Sequence, residues 1–256
     1  MGFKHVLKAV APVVALAIAG GLAGCDKADI RWNGKEGVPL AQLDLSGEAP
    51  SEVTLLGPDT VDIRDGEKLS IQVQGSDEAK ERMRFVLDNG SLGILREHSS
   101  WSGGDGDPAT VIITMPAPAK LTLAGSGKMS AASVSDKPEV TMAGSGVLDL
   151  PSVNARSMEI SIAGSGTLKA AGTADSLELN VMGSGTADLA GLKAGSSHVS
   201  VMGSGNATFA SDGDVDANIM GSGNVTVRGR ARCNVKSMGS GKLVCEPGDQ
   251  PHDKAA

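Results

Sequence analysis

The chain has 256 residues, of which 23 are basic and 30 acidic, so its formal net charge at neutral pH is −7. It contains two tryptophans, three phenylalanines and no tyrosine. Nucleic-acid binding requires basic patches and aromatic rings on which bases stack, so this composition argues against a nucleic-acid partner. The length is sufficient for one sizeable folded core.

Residues 1–24 have the pattern of a secretory signal peptide. Lys4 and Lys8 precede an apolar run, residues 9–19, that is too short to span a bilayer comfortably. The run leads to Leu22-Ala23-Gly24-Cys25, which resembles the lipobox of bacterial lipoproteins. That resemblance implies cleavage before Cys25, lipidation of the Cys25 thiol and a membrane anchor.

The segment after the cleavage site, residues 25–38, is polar and is predicted to be a tether between the lipid and the fold. The mature chain keeps 21 basic and 30 acidic side chains. A lipoprotein of this kind faces the periplasm or the outside of the bacterial cell envelope. Asp26 favours retention at the inner membrane in enteric bacteria, but other bacteria sort differently, so both membranes remain alternatives.

Residues 39–118 are predicted to be β-rich but irregular. Short alternations of apolar and polar residues predict strands near residues 43–45, 53–55, 61–63 and 69–73. The dipeptide Asn89-Gly90 is a favoured two-residue turn and predicts a β-hairpin.

Residues 119–246 contain the tripeptide Gly-Ser-Gly seven times, with 18 to 20 residues between successive first glycines. A near-constant period of this length is typical of solenoids. Stacked corners need backbone conformations or close approaches that a side chain blocks. The glycines predicted to form these corners are Gly125, Gly127, Gly144, Gly146, Gly164, Gly166, Gly183, Gly185, Gly203, Gly205, Gly221, Gly223, Gly239 and Gly241.

Apolar and polar residues alternate on both sides of each tripeptide, which is the period of a β-strand. Each repeat is therefore a strand, a corner, a second strand and a return loop. Such a unit buries its apolar face only by stacking on further copies. The pattern predicts an all-β protein, a parallel β-helix (solenoid) with 18–20-residue coils. Residues 39–118 would supply the first irregular coils and a cap, because an uncapped end invites self-association through coil ends.

The repeated turns Leu-Ala-Gly-Ser-Gly, Met-Ala-Gly-Ser-Gly and Met-Gly-Ser-Gly, following a β-rich portion, resemble the putative auto-transporter adhesin head GIN domain family. The resemblance covers roughly residues 42–244. It implies an extracytoplasmic, right-handed parallel β-helix that is often carried on a lipoprotein. The name of the family suggests adhesion.

The three cysteines divide into one anchor and one pair. Lipidation of Cys25 leaves Cys233 and Cys245 in an oxidising compartment. They stand six residues before and six residues after the first glycine of the last tripeptide, on the core-facing parity of both strands. We predict a disulfide that closes the last coil, and a disordered tail over residues 247–256.

Two outward rows are the candidate interaction surface. The fifth residues before the tripeptides form a mostly acidic row, Glu139, Glu159, Glu178, His198, Asp216 and Asn234. Stacked like charges repel one another, so this row would be strongly solvated or suit a cationic partner. The residues directly before the last four tripeptides are Met182, Met202, Met220 and Met238. Strict alternation points these methionines outward as an interaction surface, whereas a rotation at the glycine corner would pack them inward or against a return loop.

No catalytic residue, cofactor or metal site is predicted. None of the seven serines lies in a Gly-x-Ser-x-Gly motif, and turn chemistry is expected of them, with hydroxyls bonding along the ladder. Asp212, Asp214 and Asp216 have calcium-loop spacing, but Ala217 and Gly223 replace its glycine and its glutamate. Two function classes remain: a non-enzymatic cell-envelope lipoprotein for structural or adhesive binding to an unknown envelope partner, and a polysaccharide-acting lyase or hydrolase. The small, polar outer positions favour the first.

Overall fold

The computed structural model describes residues 31–32, 34–97 and 107–246. The predicted signal peptide, Cys25 and the tail from residue 247 lie outside the described residues. Within the described part of the chain, no helix is both long and apolar enough to cross a membrane.

The N-terminal part contains eight strands, one 3-10 turn and one short helix. In chain order these are β1 (Arg31–Trp32), β2 (Lys35–Glu36), the 3-10 turn (Leu40–Gln42), β3 (Glu52–Leu56), β4 (Thr60–Asp65), β5 (Ser70–Gln74), α1 (Asp77–Glu81), β6 (Met83–Asp88), β7 (Ser91–Arg96) and β8 (Thr110–Met115). The repeats contribute eleven strands. These are β9 (Lys120–Gly125), β10 (Lys128–Ala131), β11 (Glu139–Gly144), β12 (Val147–Gly164), β13 (Thr167–Gly183), β14 (Thr186–Gly203), β15 (Asn206–Ser211), β16 (Asp214–Gly221), β17 (Asn224–Arg228), β18 (Arg232–Gly239) and β19 (Lys242–Glu246).

The strands form two stacks, one before and one after the corners. The first stack has the order β6-β7-β3-β9-β11-β12-β13-β14-β16-β18. The second stack has the order β5-β8-β4-β10-β12-β13-β14-β15-β17-β19. Within the two stacks pairing is parallel, except that β6 and β5 run antiparallel at the outer end of each stack. Strands β1 and β2 belong to neither stack and form a separate antiparallel pair. The predicted parallel β-helix is therefore confirmed.

The core lies between the stacks and follows the predicted alternation. Ile160 and Ile162 in one coil, and Val199 and Val201 two coils later, are fully buried. Burying a side chain of this size stabilises the fold by about 1.5–3 kcal/mol. One continuous apolar core therefore runs along the column.

The corner at Gly183 shows why glycine recurs. Its φ is +109°, and a Cβ built there would lie 2.7 Å from the carbonyl oxygen of Gly164 in the coil before. That oxygen accepts a 2.8 Å hydrogen bond from the amide of Ser184. The bond along the ladder comes from the serine amide, not from the hydroxyl that the sequence suggested, because the close approach of the glycines brings the two backbones together.

Residues 39–118 supply one complete coil and the end cap. Gly57 takes the place of a corner glycine: its φ is +138°, and its amide donates to the Ala124 carbonyl at 2.9 Å. The Asn89-Gly90 turn joins β6 to β7 as a hairpin, as predicted. Residues 43–45 are not a strand, and their alternation instead reflects partial packing of Leu43 and Leu45 against the core.

Candidate interaction surface

The outer face of the first stack carries three rows of aligned side chains. The acidic row is Glu52, Lys120, Glu139, Glu159, Glu178, His198, Asp216 and Asn234. The polar row is Gly93, Thr54, Thr122, Thr141, Ser161, Asn180, Ser200, Asn218 and Lys236. The apolar row is Leu95, Leu56, Ala124, Ala143, Ala163, Met182, Met202, Met220 and Met238.

The four methionines of the apolar row all lie on the surface. Met220 and Met238 are 48% and 74% exposed, and Met182 and Met202 are half-buried. The interpretation that the corner turns these side chains inward is therefore wrong. The reason is local: the positive φ falls on the glycine that follows each methionine, so the strand keeps its alternation up to that point.

The other end of the apolar row is covered by the chain itself. Trp32 is buried with Val86 and Leu95, and Leu56 packs against this cluster. The contact requires glycine at position 93, because a Cβ there would lie 2.6 Å from Cε3 of Trp32. The described part of the predicted tether, residues 31–32 and 34–38, is thus docked rather than extended. The sequence feature that indicates this docking is a lone tryptophan, Trp32, in a polar segment.

Toward the ends of the acidic row, neighbouring polar groups compensate the negative charges. In its middle, the carboxylates repel one another. Lys120 Nζ lies 2.7 Å from Glu139 Oε1, and Asn234 Nδ2 donates to Asp216 Oδ1 at 3.0 Å. Glu159 lies between Glu139 and Glu178. Burial first, and then the charges of Glu178 and Glu139, raise the pKa of the Glu159 carboxyl. A cationic group placed beside Glu159 would favour the charged carboxylate and so offset both effects.

Neighbouring carboxylates with a raised pKa also occur in glycosidase sites. Such sites lie in clefts, whereas Glu159 and Glu178 lie on an open sheet face. A shallow depression of about 240 Å³ lies farther along the column and is lined by His198, Asp216, Ala217, Asn218, Asn234 and Lys236. It includes neither glutamate. The row therefore fits a contact surface better than a catalytic centre.

In the run Asp212, Asp214, Asp216, the first two carboxylates form surface ion pairs and the third accepts the hydrogen bond from Asn234. Asp214 Oδ1 and Oδ2 accept hydrogen bonds of 2.6 and 2.9 Å from the Arg232 guanidinium, and Lys193 Nζ lies 2.8 Å from Asp212 Oδ2. These hydrogen bonds lower the pKa of Asp214 and of Asp212. In the described part of the chain, no group of three His, Cys, Asp or Glu side chains is arranged to hold a metal ion.

The structure contains a disulfide between Cys233 and Cys245, with 6.7 Å between the two Cα atoms. It joins β18 to β19 across the last Gly-Ser-Gly corner. The closing coil is therefore covalently fixed at the end of the column where Met220 and Met238 are exposed. Cys25, the predicted lipid site, lies outside the described residues.

Comparison with known proteins agrees with this architecture. The family model described as putative auto-transporter adhesin, head GIN domain, matches residues 49–231. The solved structure of a putative adhesin from Bacteroides fragilis is 16% identical, with a TM-score of 0.68, over 77% of this chain and 93% of that one. A putative lipid binding protein from Parabacteroides distasonis is 20% identical, with a TM-score of 0.61, over the same shares.

A putative adhesin from Parabacteroides merdae is 16% identical, with a TM-score of 0.55, over 77% of this chain and 92% of that one. At these identities the structures show a shared fold. No curated protein matches the chain. Because the family model covers well over half of the sequence, the chain belongs to the putative auto-transporter adhesin head GIN domain family.

Proposed function

We propose that this protein is a lipid-anchored bacterial envelope protein that binds a partner through the outer face of the first stack and catalyses no reaction. The observation that supports this proposal most directly is the apolar row. Trp32 covers its N-terminal end, while Met220 and Met238 are exposed at the other end. An exposed apolar stripe is typical of interaction sites, and flexible methionine side chains adapt to a partner.

The envelope location is supported by the lipobox-like sequence and by relatives described as adhesins. Trp32 lies seven positions after Cys25, so a lipid on Cys25 would hold the capped end within about 25 Å of the membrane. Ten strands spaced about 4.8 Å apart make the first stack roughly 43 Å long. The exposed methionines would then lie at the end of the column away from the membrane.

A binding role without catalysis is supported by the geometry of the carboxylates. Glu139, Glu159 and Glu178 lie in one line on an open face. The family model and two of the similar structures carry the description adhesin, and another is described as lipid-binding. Each of these descriptions refers to binding, and none names a reaction.

The anchor is tested by membrane fractionation of Cys25→Ser. We expect the variant to move from the membrane fraction to the soluble fraction, because it loses its lipid. Cys233→Ser, which leaves the first cysteine intact, is the control and should stay with the membrane. A Cys25→Ser variant that remains membrane-bound without any other partner contradicts the anchor.

The binding face is tested by a photo-crosslinking amino acid introduced in living cells at Met220 or at Thr208. Thr208 is half-buried on the outer face of the second stack. We expect a crosslinked adduct from position 220 and none from position 208. Equal amounts of adduct from both positions, or no adduct from position 220, would show that the outer face of the first stack is not the binding surface.

A further inference from the structure

The last coil, formed by β18 and β19, concentrates the exposed apolar surface. In the described residues, the large apolar side chains that are exposed are Met220, Val235, Met238 and Val244. Three of these four belong to the last coil, and the fourth belongs to the coil before it. The family match ends at residue 231, so the last coil lies beyond it.

The same coil presents an unpaired backbone edge. Within the described part of the chain, β18 pairs only with β16, and β19 only with β17. The amide of Arg232 donates to the carbonyl of Gly213 at 2.8 Å. Because hydrogen bonding to one neighbour alternates along a strand, the backbone groups of Cys233, Val235 and Ser237 face away from the column. A free edge of this kind is a template for another strand.

The edge is also basic, although the whole chain is acidic. The last coil holds Arg232, Lys236, Lys242 and a single acid, Glu246, and Arg230 lies directly before it. Arg232 pairs with Asp214 and Arg230 lies near Asp212, but neither lysine forms an ion pair with a described residue.

The two lysines are a feature of the edge itself. In the coil before, asparagines occupy the aligned positions, Asn218 for Lys236 and Asn224 for Lys242. Two cations without an ion-pair partner among the described residues therefore lie on this coil, Lys236 between the free backbone groups of β18 and Lys242 on β19.

We propose that the last coil binds an acidic, extended segment of another protein, which adds to β18 as a further strand. Main-chain hydrogen bonds would supply affinity, and the carboxylates of the partner would meet Lys236 and Lys242. Val235, on the opposite face of β18 from Lys236, would receive apolar side chains that alternate with those carboxylates. The Cys233–Cys245 disulfide fixes the edge before binding, which lowers the ordering cost.

Two other occupants fit less well. A second copy joined through its own last coil would bring the lysines of both copies together, and like charges disfavour that contact. An anionic bilayer would attract the lysines but would leave the free backbone groups without hydrogen-bond partners. The inference names the partner chemistry within the proposed binding function. Its test needs neither the lipid anchor nor Met220, so its failure would leave the crosslinking result at Met220 standing.

The probe is a ten-residue peptide in which glutamate alternates with valine, titrated into the full chain purified in detergent. One control peptide carries lysine in place of glutamate, and a second carries proline in place of alternate valines and cannot form a strand. We expect only the first peptide to bind. Its binding should slow hydrogen exchange of the amides of Cys233, Val235 and Ser237.

The matched variants are Lys236→Glu with Lys242→Glu, and Lys128→Glu. Lys128 occupies the same position in its repeat as Lys242, but its coil is paired on both sides, with Thr60 and Val147. We expect the double variant to weaken peptide binding by at least about tenfold and Lys128→Glu to leave it unchanged. Equal losses in both variants would show general electrostatic attraction and overturn the proposal.

Three further results would also overturn it. Binding to phosphatidylglycerol vesicles without binding to the peptide would make the occupant a membrane. A dimer in sedimentation that the double variant abolishes would make it a second copy. Peptide binding that occurs only after deletion of residues 247–256 would make the occupant the tail of the chain itself.

Discussion

Arg96 and Asp59 form an ion pair inside the cap, with side chains that are 3% and 0% exposed. Arg96 Nε donates to Asp59 Oδ1 and Oδ2 at 3.1 and 2.9 Å. The amide of Ala109 also donates to Asp59 Oδ1, at 2.8 Å. Asp59 stands where later coils have the second glycine of the tripeptide, so its carboxylate joins the first corner to β7 and to the residue before β8.

Asp59→Asn should destabilise the protein by about 3–5 kcal/mol, because it removes the carboxylate that faces a buried guanidinium. Asp62→Asn is the matched control. It breaks the exposed pair with Arg64, whose Nη2 lies 2.8 Å from Asp62 Oδ2, and should cost less than about 1 kcal/mol. Urea unfolding measures both. Similar, small costs for the two variants would show that the buried pair does not hold the cap together.

Gly183→Val should unfold part of the column. Valine is strained at a φ of +109°, and its Cβ would lie 2.7 Å from the carbonyl oxygen of Gly164. Ser184→Ala should change stability by less than about 0.5 kcal/mol, because the exposed side chain leaves its amide bond to Gly164 intact. Thermal unfolding followed by circular dichroism compares the two. A valine variant with the melting temperature of the wild type would contradict the stacked corner.

Glu159→Gln should stabilise the protein at neutral pH and not in acid. The folded-state pKa of Glu159 is raised, so the folded state binds more protons than the unfolded state between the two pKa values. Stability therefore falls as pH rises through that window. Removing the charge should add about 0.2–1 kcal/mol at pH 7, and the gain should vanish below about pH 4.

The measurement is the difference in unfolding free energy between Glu159→Gln and the wild type across this pH range. Glu48→Gln, at an exposed loop position before β3, is the control and should show no such trend. A Glu159→Gln variant that is destabilised at pH 7 would mean that the carboxylate makes a favourable contact. That result would contradict the repulsion of Glu159 by Glu139 and Glu178.

Reduction of the Cys233–Cys245 disulfide should loosen the last coil. Closing a loop of this length contributes about 3 kcal/mol in the chain-entropy model. Because β18 and β19 each pair with one neighbour only among the described strands, the loss should remain local. Hydrogen exchange should accelerate in β18 and β19 and stay unchanged in β12. Unchanged hydrogen exchange in β18 after reduction would show that the disulfide does not stabilise this end of the column.

The repeated part of the fold could be predicted from the sequence because every coil buries apolar side chains at the same positions of its repeat. Ile160 and Ile162 alternate with the polar residues Glu159 and Ser161, so the direction of each side chain follows from strand geometry. The first irregular coils were predicted within residues 39–118, but the corner at Gly57 was not, because Gly57-Pro58-Asp59 takes the place of Gly-Ser-Gly without sharing its sequence.

Contacts between distant residues could not be predicted in this way. Arg96 meets Asp59 across 37 residues, and Trp32 meets Gly93 over a still longer separation. Nothing in the local pattern links either pair. The methionine row was ambiguous for another reason: alternation predicts an outward direction, but a glycine next in sequence permits a departure, and only the position of the positive φ decides between the two.

The most direct test of the exposed apolar row is the free energy of unfolding of Met220→Ser, measured beside Ile219→Ser. These neighbours lie on opposite faces of β16, with Ile219 fully buried and Met220 48% exposed. If the row is a binding surface, Met220→Ser should change stability by no more than about 0.5 kcal/mol, while Ile219→Ser should cost about 3 kcal/mol or more. A comparable loss from Met220→Ser would show that the methionine packs as core, and would contradict the proposed surface.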